Sequence, residues 1–514
     1  MAEATPTGAD DSAAGLERRQ VRGSALLVVG RGASLLLGMA TQIIIVRTLS
    51  KTDFGAFAYA LALAAAARTL LSLGQGRLLS RFMATYEERR DFPRMFGAMF
   101  LAVGTIVVTS VVGITALFVF SDVLVGSAVE SQAAIGLVLI LIFLSPLEAL
   151  DEVFVSMFAV FSKPQAIFFR KYLLAPGLRL LVVCVLALSG SGVTFLAVGY
   201  VAASLVGLFL YVTLLIRLLR ERGLLKELKP RQVILPFRAV FAFSFPLISG
   251  EMVVLSREVV GVVVLGLFHS VVEVANFRAV FRAAQLNSAV TLSLVTLFLP
   301  AIARLYSRDD IDGLRRNYWR TAAFAAVLTF PIFALTGPLA PETTVALFGD
   351  RYADSATVMA VLAVGYYCNV MFGLNAYTLQ VCGRIAYLVG VNVFILALNI
   401  GLSFGFAPRF GAEGVAAANS VALVMQNLLS QWALRRSIRT GWIDAHYLVC
   451  YGAIVGSAAG LWLFQVFVDP GLVLSIATLV VASLVVLVFS RKALDLGAMF
   501  PELRGVPLLG RLID

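Results

Sequence analysis

Apolar residues fall in long blocks along almost the whole chain, separated by short polar stretches. The blocks lie at 24–46, 54–73, 96–120, 133–158, 172–189, 193–216, 239–266, 274–302, 318–338, 355–377, 385–407, 413–433, 446–468 and 471–490. A helix rises 1.5 Å per residue and needs roughly 20 residues to cross the ~30 Å hydrocarbon core of a bilayer. The pattern therefore predicts an all-α polytopic membrane protein with about 14 transmembrane helices. Block 133–158 is interrupted by Glu148, Asp151 and Glu152, and block 274–302 is long enough for its outer end to lie at the interface.

Composition agrees. Of 514 residues, 60% are hydrophobic and only 14% are charged, against about a quarter charged in an average globular chain. A soluble enzyme of two or three domains is excluded. The net charge of +11 gains its meaning from position, because basic residues concentrate on the cytoplasmic side of membrane proteins. Thirty of the 41 Lys and Arg fall on one side, in the N-terminal tail, the even-numbered connections and the C-terminal tail. The heaviest stretch is the linker from Arg217 to Arg238, and Lys163, Arg170 and Lys171 are counted in the connection between the fourth and fifth helices. Only Arg47, Lys51, Arg351 and Arg409 fall on the other side. Both termini are expected in the cytoplasm, and no nucleic-acid partner is needed to explain the charge. The remaining seven, Arg31, Arg68, Arg179, Arg257, Arg278, Arg282 and Arg320, fall within or at the ends of spans.

Other signals are quiet. Residues 1–20 are small and polar, without the apolar core of a cleavable signal peptide. Cys184, Cys368, Cys382 and Cys450 lack metal-ligand spacing and read as small core residues. His269 and His446 stand at helix ends and suggest no metal site. Trp319, Trp432 and Trp442 fall near cytoplasmic span ends, where an aromatic belt belongs. No phosphate-binding loop for ATP is present, and the tail 491–514 mixes apolar and basic residues as a segment lying on the inner surface does.

The chain also echoes itself at an offset of about 220 residues, or six helices. IIIVRTLSKTDFGAFAYA (43–60) aligns with VVVLGLFHSVVEVANFRA (262–279), and residues 162–204 align with 383–422 as turn, helix, Gly-rich outer hairpin and small-residue helix. The expected organisation is a tail (1–23), an N-lobe of helices 1–6 (24–216), a basic cytoplasmic linker (217–238), a C-lobe of helices 7–12 (239–440), helices 13 and 14 (441–490) and a cytoplasmic tail (491–514). Two pseudo-symmetric six-helix lobes of like orientation are a transporter architecture.

The segments GRGASLLLGMATQIIIVRTLSKTDFGAFAYALAL (30–63), FSFPLISGEM (243–252), LFGDRYADSATVMAVLA (347–363) and PRFGAEGVAAANSVA (408–422) resemble the polysaccharide-transport and Wzx-type flippase families of the multidrug/oligosaccharidyl-lipid/polysaccharide exporter superfamily. The resemblance spans roughly 24–440. It implies a protein of the bacterial inner membrane, not an enzyme, that moves a polyprenyl-pyrophosphate-linked oligosaccharide to the outer leaflet for O-antigen, capsule or exopolysaccharide synthesis. It implies alternating access of two lobes without a cofactor, coupled to H+, Na+ or the membrane potential. The implied partners are the lipid-linked oligosaccharide, membrane lipids, and a polysaccharide polymerase with its chain-length regulator. Lipid II flippases share the fourteen-helix plan, but their first helix usually carries an SR-x-x-G-x-x-R-type pattern where this one has Arg31 alone. Drug and metabolite exporters of the superfamily usually have twelve helices and no long basic linker.

The intramembrane charges are the candidate site. An arginine at the centre of a lipid-facing helix costs roughly 2.5–3.5 kcal/mol on insertion scales, so such residues face a watery cavity or a partner. Arg31, Arg68 and Arg257, with Glu251, are the candidate pyrophosphate-binding residues, acting through charge-assisted and often bidentate hydrogen bonds. The repeat sets Glu251 at the position of Arg31. Pro246 is the candidate hinge in helix 7. Glu148, Asp151, Glu152 and Glu258 are candidates for ion coupling or ion pairing, with Arg179 as a partner for the first three. Arg278 and Arg282 are candidate outer-rim residues.

Overall fold

The computed structural model describes residues 29–72, 74–119, 132–161, 164–237, 252–253, 255–468 and 470–495. Every regular element among them is helical. Among the described residues, eleven helices are long and apolar enough to cross a membrane, or twelve if one bent pair (Val271–Thr296 with Phe298–Ser307) counts as a single span. The described parts of the apolar blocks fall on helices, and blocks 24–46 and 239–266 lie partly outside the described residues. The chain divides into two compact units, Met1–Glu251 and Met252–Asp514.

In the first unit, α1 (Val29–Thr48) turns through Leu49 and Ser50 into α2 (Lys51–Ser72). Ser50 starts α2: its hydroxyl accepts from the Asp53 amide at 3.0 Å and donates to the Asp53 carboxylate at 2.7 Å, satisfying an amide that the first turn leaves unbonded. The basic connection after α2 is not an open loop. It forms α3 (Gln75–Glu88), whose Leu79 and Met83 are buried while Glu87 and Glu88 stay wet. Its apolar face packs on α6, which explains why a stretch carrying Arg77, Arg81 and Glu88 stays helical. Then come α4 (Phe92–Val119), α5 (Gln132–Leu141), α6 (Leu144–Val160), α7 (Phe168–Ser189) and α8 (Val193–Glu221). The basic linker docks back on α4: the Ile234 amide donates to the Pro93 carbonyl at 3.3 Å, and a Cβ at Gly97 would overlap the Ile234 carbonyl.

In the second unit, a π-helical turn (Ser256–Val260) leads into α9 (Gly261–Phe268), followed by α10 (Val271–Gln285), α11 (Asn287–Ser307) and α12 (Ile311–Thr336). A short α13 (Ala340–Phe348) precedes α14 (Ala356–Phe372), α15 (Leu374–Val381) and α16 (Ile385–Ile438). The last two are α17 (Leu448–Val468) and α18 (Leu472–Leu494). The 54 residues of α16 are two helices joined across Gly411 at φ 52° and ψ −132°, conformations that cost a residue with a Cβ. The repeat is visible at two turns: α10 starts at Ser270 and Glu273 where α2 starts at Ser50 and Asp53, 220 positions earlier, although the Ser270 side chain makes no capping hydrogen bond, and Gly190 and Gly411 both have positive φ.

Buried small and aromatic residues fill each unit, while the outer faces are apolar. Leu188, Val473 and Phe467 are 89%, 84% and 81% exposed. Large apolar side chains at such exposure suit hydrocarbon, not water. One expectation fails here. Trp319 is 1% exposed and donates its indole N–H to the Thr440 hydroxyl at 2.8 Å. It is a core residue of the second unit because it has both an apolar slot and a hydroxyl acceptor. Trp432 and Trp442 are exposed, with Arg436 and Arg435 stacked over their rings at 3.9 Å and 4.8 Å. Of the cysteines, Cys450 is buried and Cys184 is exposed on an outer apolar face.

Candidate functional site

In the first unit, the spacing of three between Glu148 and Asp151 sets both carboxylates on one face of α6. Glu148 holds two arginines: Arg179 from α7 at 2.5 Å and Arg68 from α2 at 3.4 Å. Arg179 also lies over the Tyr200 ring, 5.4 Å from its centroid. Asp151 takes Arg170 at 2.6 Å, and the same guanidinium donates through Nε to the Gly207 carbonyl at 2.9 Å and stacks on Tyr211 at 4.7 Å. Gly207 is required for that approach, since a Cβ there would overlap the guanidinium. Arg170 is 3% exposed, and its Nη1 has no hydrogen-bond partner. Beside it, Glu148, Asp151, Arg179 and Ser204 help to enclose a cavity of about 30 Å³, room for one water.

Arg170 and Lys171, counted from the sequence in the connection between the fourth and fifth helices, lie inside a span instead. They sit in a π-helical turn, Phe168–Leu174, at the start of the span Phe168–Ser189. A π turn carries an extra residue and rotates the side chains that follow. It sends Arg170 inward and leaves Lys171 exposed, within electrostatic reach of Glu152, Asp151, Arg31 and Arg68. Arg31 is exposed on the first described turn of α1. Glu152 is exposed too, with its Cγ beside Gly76 of α3. Among the described side chains the group holds five cations and three carboxylates, a surplus of two positive charges. Sequence reasoning missed Lys171 because nothing in FFRKYLL marks a π turn.

In the second unit, the Arg257 Nη2 donates to the Gln426 side-chain oxygen, Gln426 donates to Asn392 at 3.2 Å, and Asn419 donates to the Arg257 carbonyl at 3.3 Å. No carboxylate among the described residues forms an ion pair with Arg257. Arg278 is half-buried, donates to the Glu258 carbonyl at 3.4 Å and lies over the Phe281 ring at 5.5 Å, while Arg282 is exposed. Glu251 and Pro246 lie outside the described residues. A further polar contact, unmarked in the sequence, sits at the α16 kink: the Glu273 carboxylate accepts from the Ala412 amide at 3.0 Å and from Asn276 at 3.3 Å, and His269 Nε2 meets the Ala407 carbonyl at 2.7 Å. Among the described residues there is no cluster of His, Cys, Asp or Glu able to hold a metal ion.

Two helical units carrying buried ionic groups inside membrane spans define a polytopic membrane protein with the fold of two-lobed transporters. A family model described as "Polysaccharide biosynthesis protein" matches residues 20–306, and the chain belongs to that family. Among solved structures, "Lipid II flippase MurJ, inward closed conformation" matches with a TM-score of 0.72 at 15% identity, covering 92% of this chain and 98% of that one. An inward-facing multidrug resistance MATE family transporter of the MOP superfamily matches with a TM-score of 0.63 at 14% identity, covering 79% and 96%. A MOP superfamily transporter from Pyrococcus furiosus gives 0.51 at 15% identity, covering 82% and 96%. At these identities the likeness establishes a shared fold. No curated protein matches this chain in sequence.

Proposed function

We propose that the protein is a flippase that carries a polyprenyl-pyrophosphate-linked oligosaccharide from the cytoplasmic to the outer leaflet of the bacterial inner membrane, for surface polysaccharide synthesis, with both termini in the cytoplasm. The observation that carries this reading is the surplus of two positive charges in the spans of the first unit, with Arg31, Arg68 and Lys171 on its accessible side. Unbalanced charge at membrane depth is costly and marks a path for an ion or substrate. A pyrophosphate diester carries two negative charges, the complement of that surplus. The arginine forks can grip its oxygens with charge-assisted bonds, while the prenyl chain stays in the hydrocarbon. Glu148 shares its carboxylate between Arg68 and Arg179, so it keeps Arg68 neutralised while no cargo is bound. The chain translocates its cargo without making or breaking a bond, by alternating access of its lobes, and Arg257 and Glu251 act with Arg31 and Arg68 on the path.

The membrane family and the fold support this reading together. Transport of lipid II is the second reading, favoured by the extent of the fold shared with the lipid II flippase structure. Cells that lack their own copy and carry Arg31→Ala with Arg257→Ala are expected to lose surface polymer while making the altered protein at normal levels. Normal polymer in those cells would overturn the charge clamp. Loss of cell-wall precursor export with polymer intact would favour lipid II.

A further inference from the structure

The polar groups around Arg257 differ in kind from those in the first unit. The first cluster is built of ionised side chains, whereas Arg257 is set among neutral amides. Its Nη2 donates to Gln426, Gln426 donates to Asn392, and Asn419 binds the Arg257 backbone. Three buried atoms there have no hydrogen-bond partner: Arg257 Nε, the Asn419 side-chain oxygen and the Tyr366 hydroxyl. Asn419 and Tyr366 are each 3% exposed, and the Arg257 guanidinium is within electrostatic reach of Tyr366. An unpaired buried polar atom is unfavourable, because it has given up its water without gaining a partner. Two donors and an acceptor on neighbouring side chains would be satisfied by a ligand that both gives and accepts hydrogen bonds.

We propose that this is a carbohydrate subsite for an acidic sugar, a uronic acid of the carried oligosaccharide. Hydroxyl groups both give and accept hydrogen bonds, so they suit side-chain amides and a tyrosine hydroxyl. A uronate carboxylate suits the single guanidinium. Arg278 is tied to the Glu258 carbonyl and lies within reach of that residue's carboxylate and of the exposed Arg282, whereas the Arg257 guanidinium is set among the amides and forms no ion pair with a carboxylate of the described residues. Four elements build the subsite: the π-helical turn before α9 gives Arg257, α14 gives Tyr366, and the two halves of α16 give Asn392 and the pair Asn419 and Gln426. Ser420 donates to the Val361 carbonyl at 2.7 Å and packs against Gly365, which fixes Tyr366 relative to Asn419.

The inference rests on the flippase reading, and its test separates the two. Full-length protein in phospholipid nanodiscs is titrated with glucuronyl-glucose and with its neutral counterpart, glucosyl-glucose, and binding is followed by saturation-transfer NMR. The acidic disaccharide is expected to bind at least about tenfold more tightly, the scale of one charge-assisted hydrogen bond that the neutral sugar cannot make. Tyr366→Phe, which keeps the ring, and Arg257→Lys, which keeps the charge but loses the fork, are each expected to shrink that ratio. Equal binding of the two sugars, no binding of either, or an unchanged ratio in both variants overturns the subsite, with only water then filling it. If sugar binding holds but reconstituted protein moves no polyprenyl-pyrophosphate oligosaccharide, the flippase reading falls and the subsite stands.

Discussion

At the residue scale, the first unit is governed by the cost of burying charge. Asp151 and Arg170 meet at 2.6 Å, with Arg170 fully enclosed. Removing one partner of a buried pair costs about 3–5 kcal/mol, whereas replacing both by apolar groups of similar size is often neutral. Asp151→Asn is therefore expected to lower the melting temperature sharply, and Asp151→Leu combined with Arg170→Met to recover most of the loss. Gly207→Ala should act like the single change, because its Cβ takes the space of the guanidinium. Thermal unfolding in detergent checks all three. An undisturbed Gly207→Ala would mean that Arg170 does not depend on this niche. The charged positions were legible in the sequence because each interrupts an apolar run, and Arg179 was already a candidate partner for the acidic group on α6. Lys171 was hidden, since a basic residue at a span's start reads equally well as a topology signal. Trp319 misled for the same reason: the position of an aromatic near a span end does not say whether it faces lipid or its own core.

At the element scale, local backbone breaks place the chemistry. The π-helical turns at Phe168–Leu174 and Ser256–Val260 each carry an inward arginine, and no residue pattern announces a π turn in a run of apolar side chains. The kink of α16 at Gly411 was legible in part. Its Gly-rich sequence predicted a hairpin, but the Glu273 carboxylate on the Ala412 amide is a contact between distant segments that periodicity cannot reveal. Losing a capping side chain costs about 1–2 kcal/mol. Glu273→Ala should therefore raise hydrogen–deuterium exchange at residues 411–414 and leave the core of α12 protected. Gly411→Ala should destabilise the same kink, at about 1–3 kcal/mol for a residue forced into glycine-favoured backbone angles. Uniform protection in both variants would show that the kink is held by other contacts.

At the scale of the whole molecule, hydropathy read the membrane architecture almost directly, because a lipid solvent demands long apolar helices. Charge bias then sets the orientation we propose. In a cysteine-free background, Lys226→Cys is expected to react with a membrane-impermeant maleimide only from the cytoplasmic side, and Arg351→Cys only from the outside. Labelling of both from one side would overturn the topology. What the helix pattern could not reveal is which charges pair and which remain in surplus, since that depends on side-chain contacts across elements. The surplus is the centre of the functional account. The most direct test is translocation by purified protein in liposomes of a fluorescent polyprenyl-pyrophosphate trisaccharide, read by its exposure to an added glycosidase. Wild-type protein is expected to expose the inner-leaflet lipid, and Arg31→Ala with Lys171→Ala to slow it at least about a hundredfold, the loss of two charge-assisted contacts worth about 1.5–3 kcal/mol each. No movement by the wild type, or an unchanged rate in the double variant, would contradict the account.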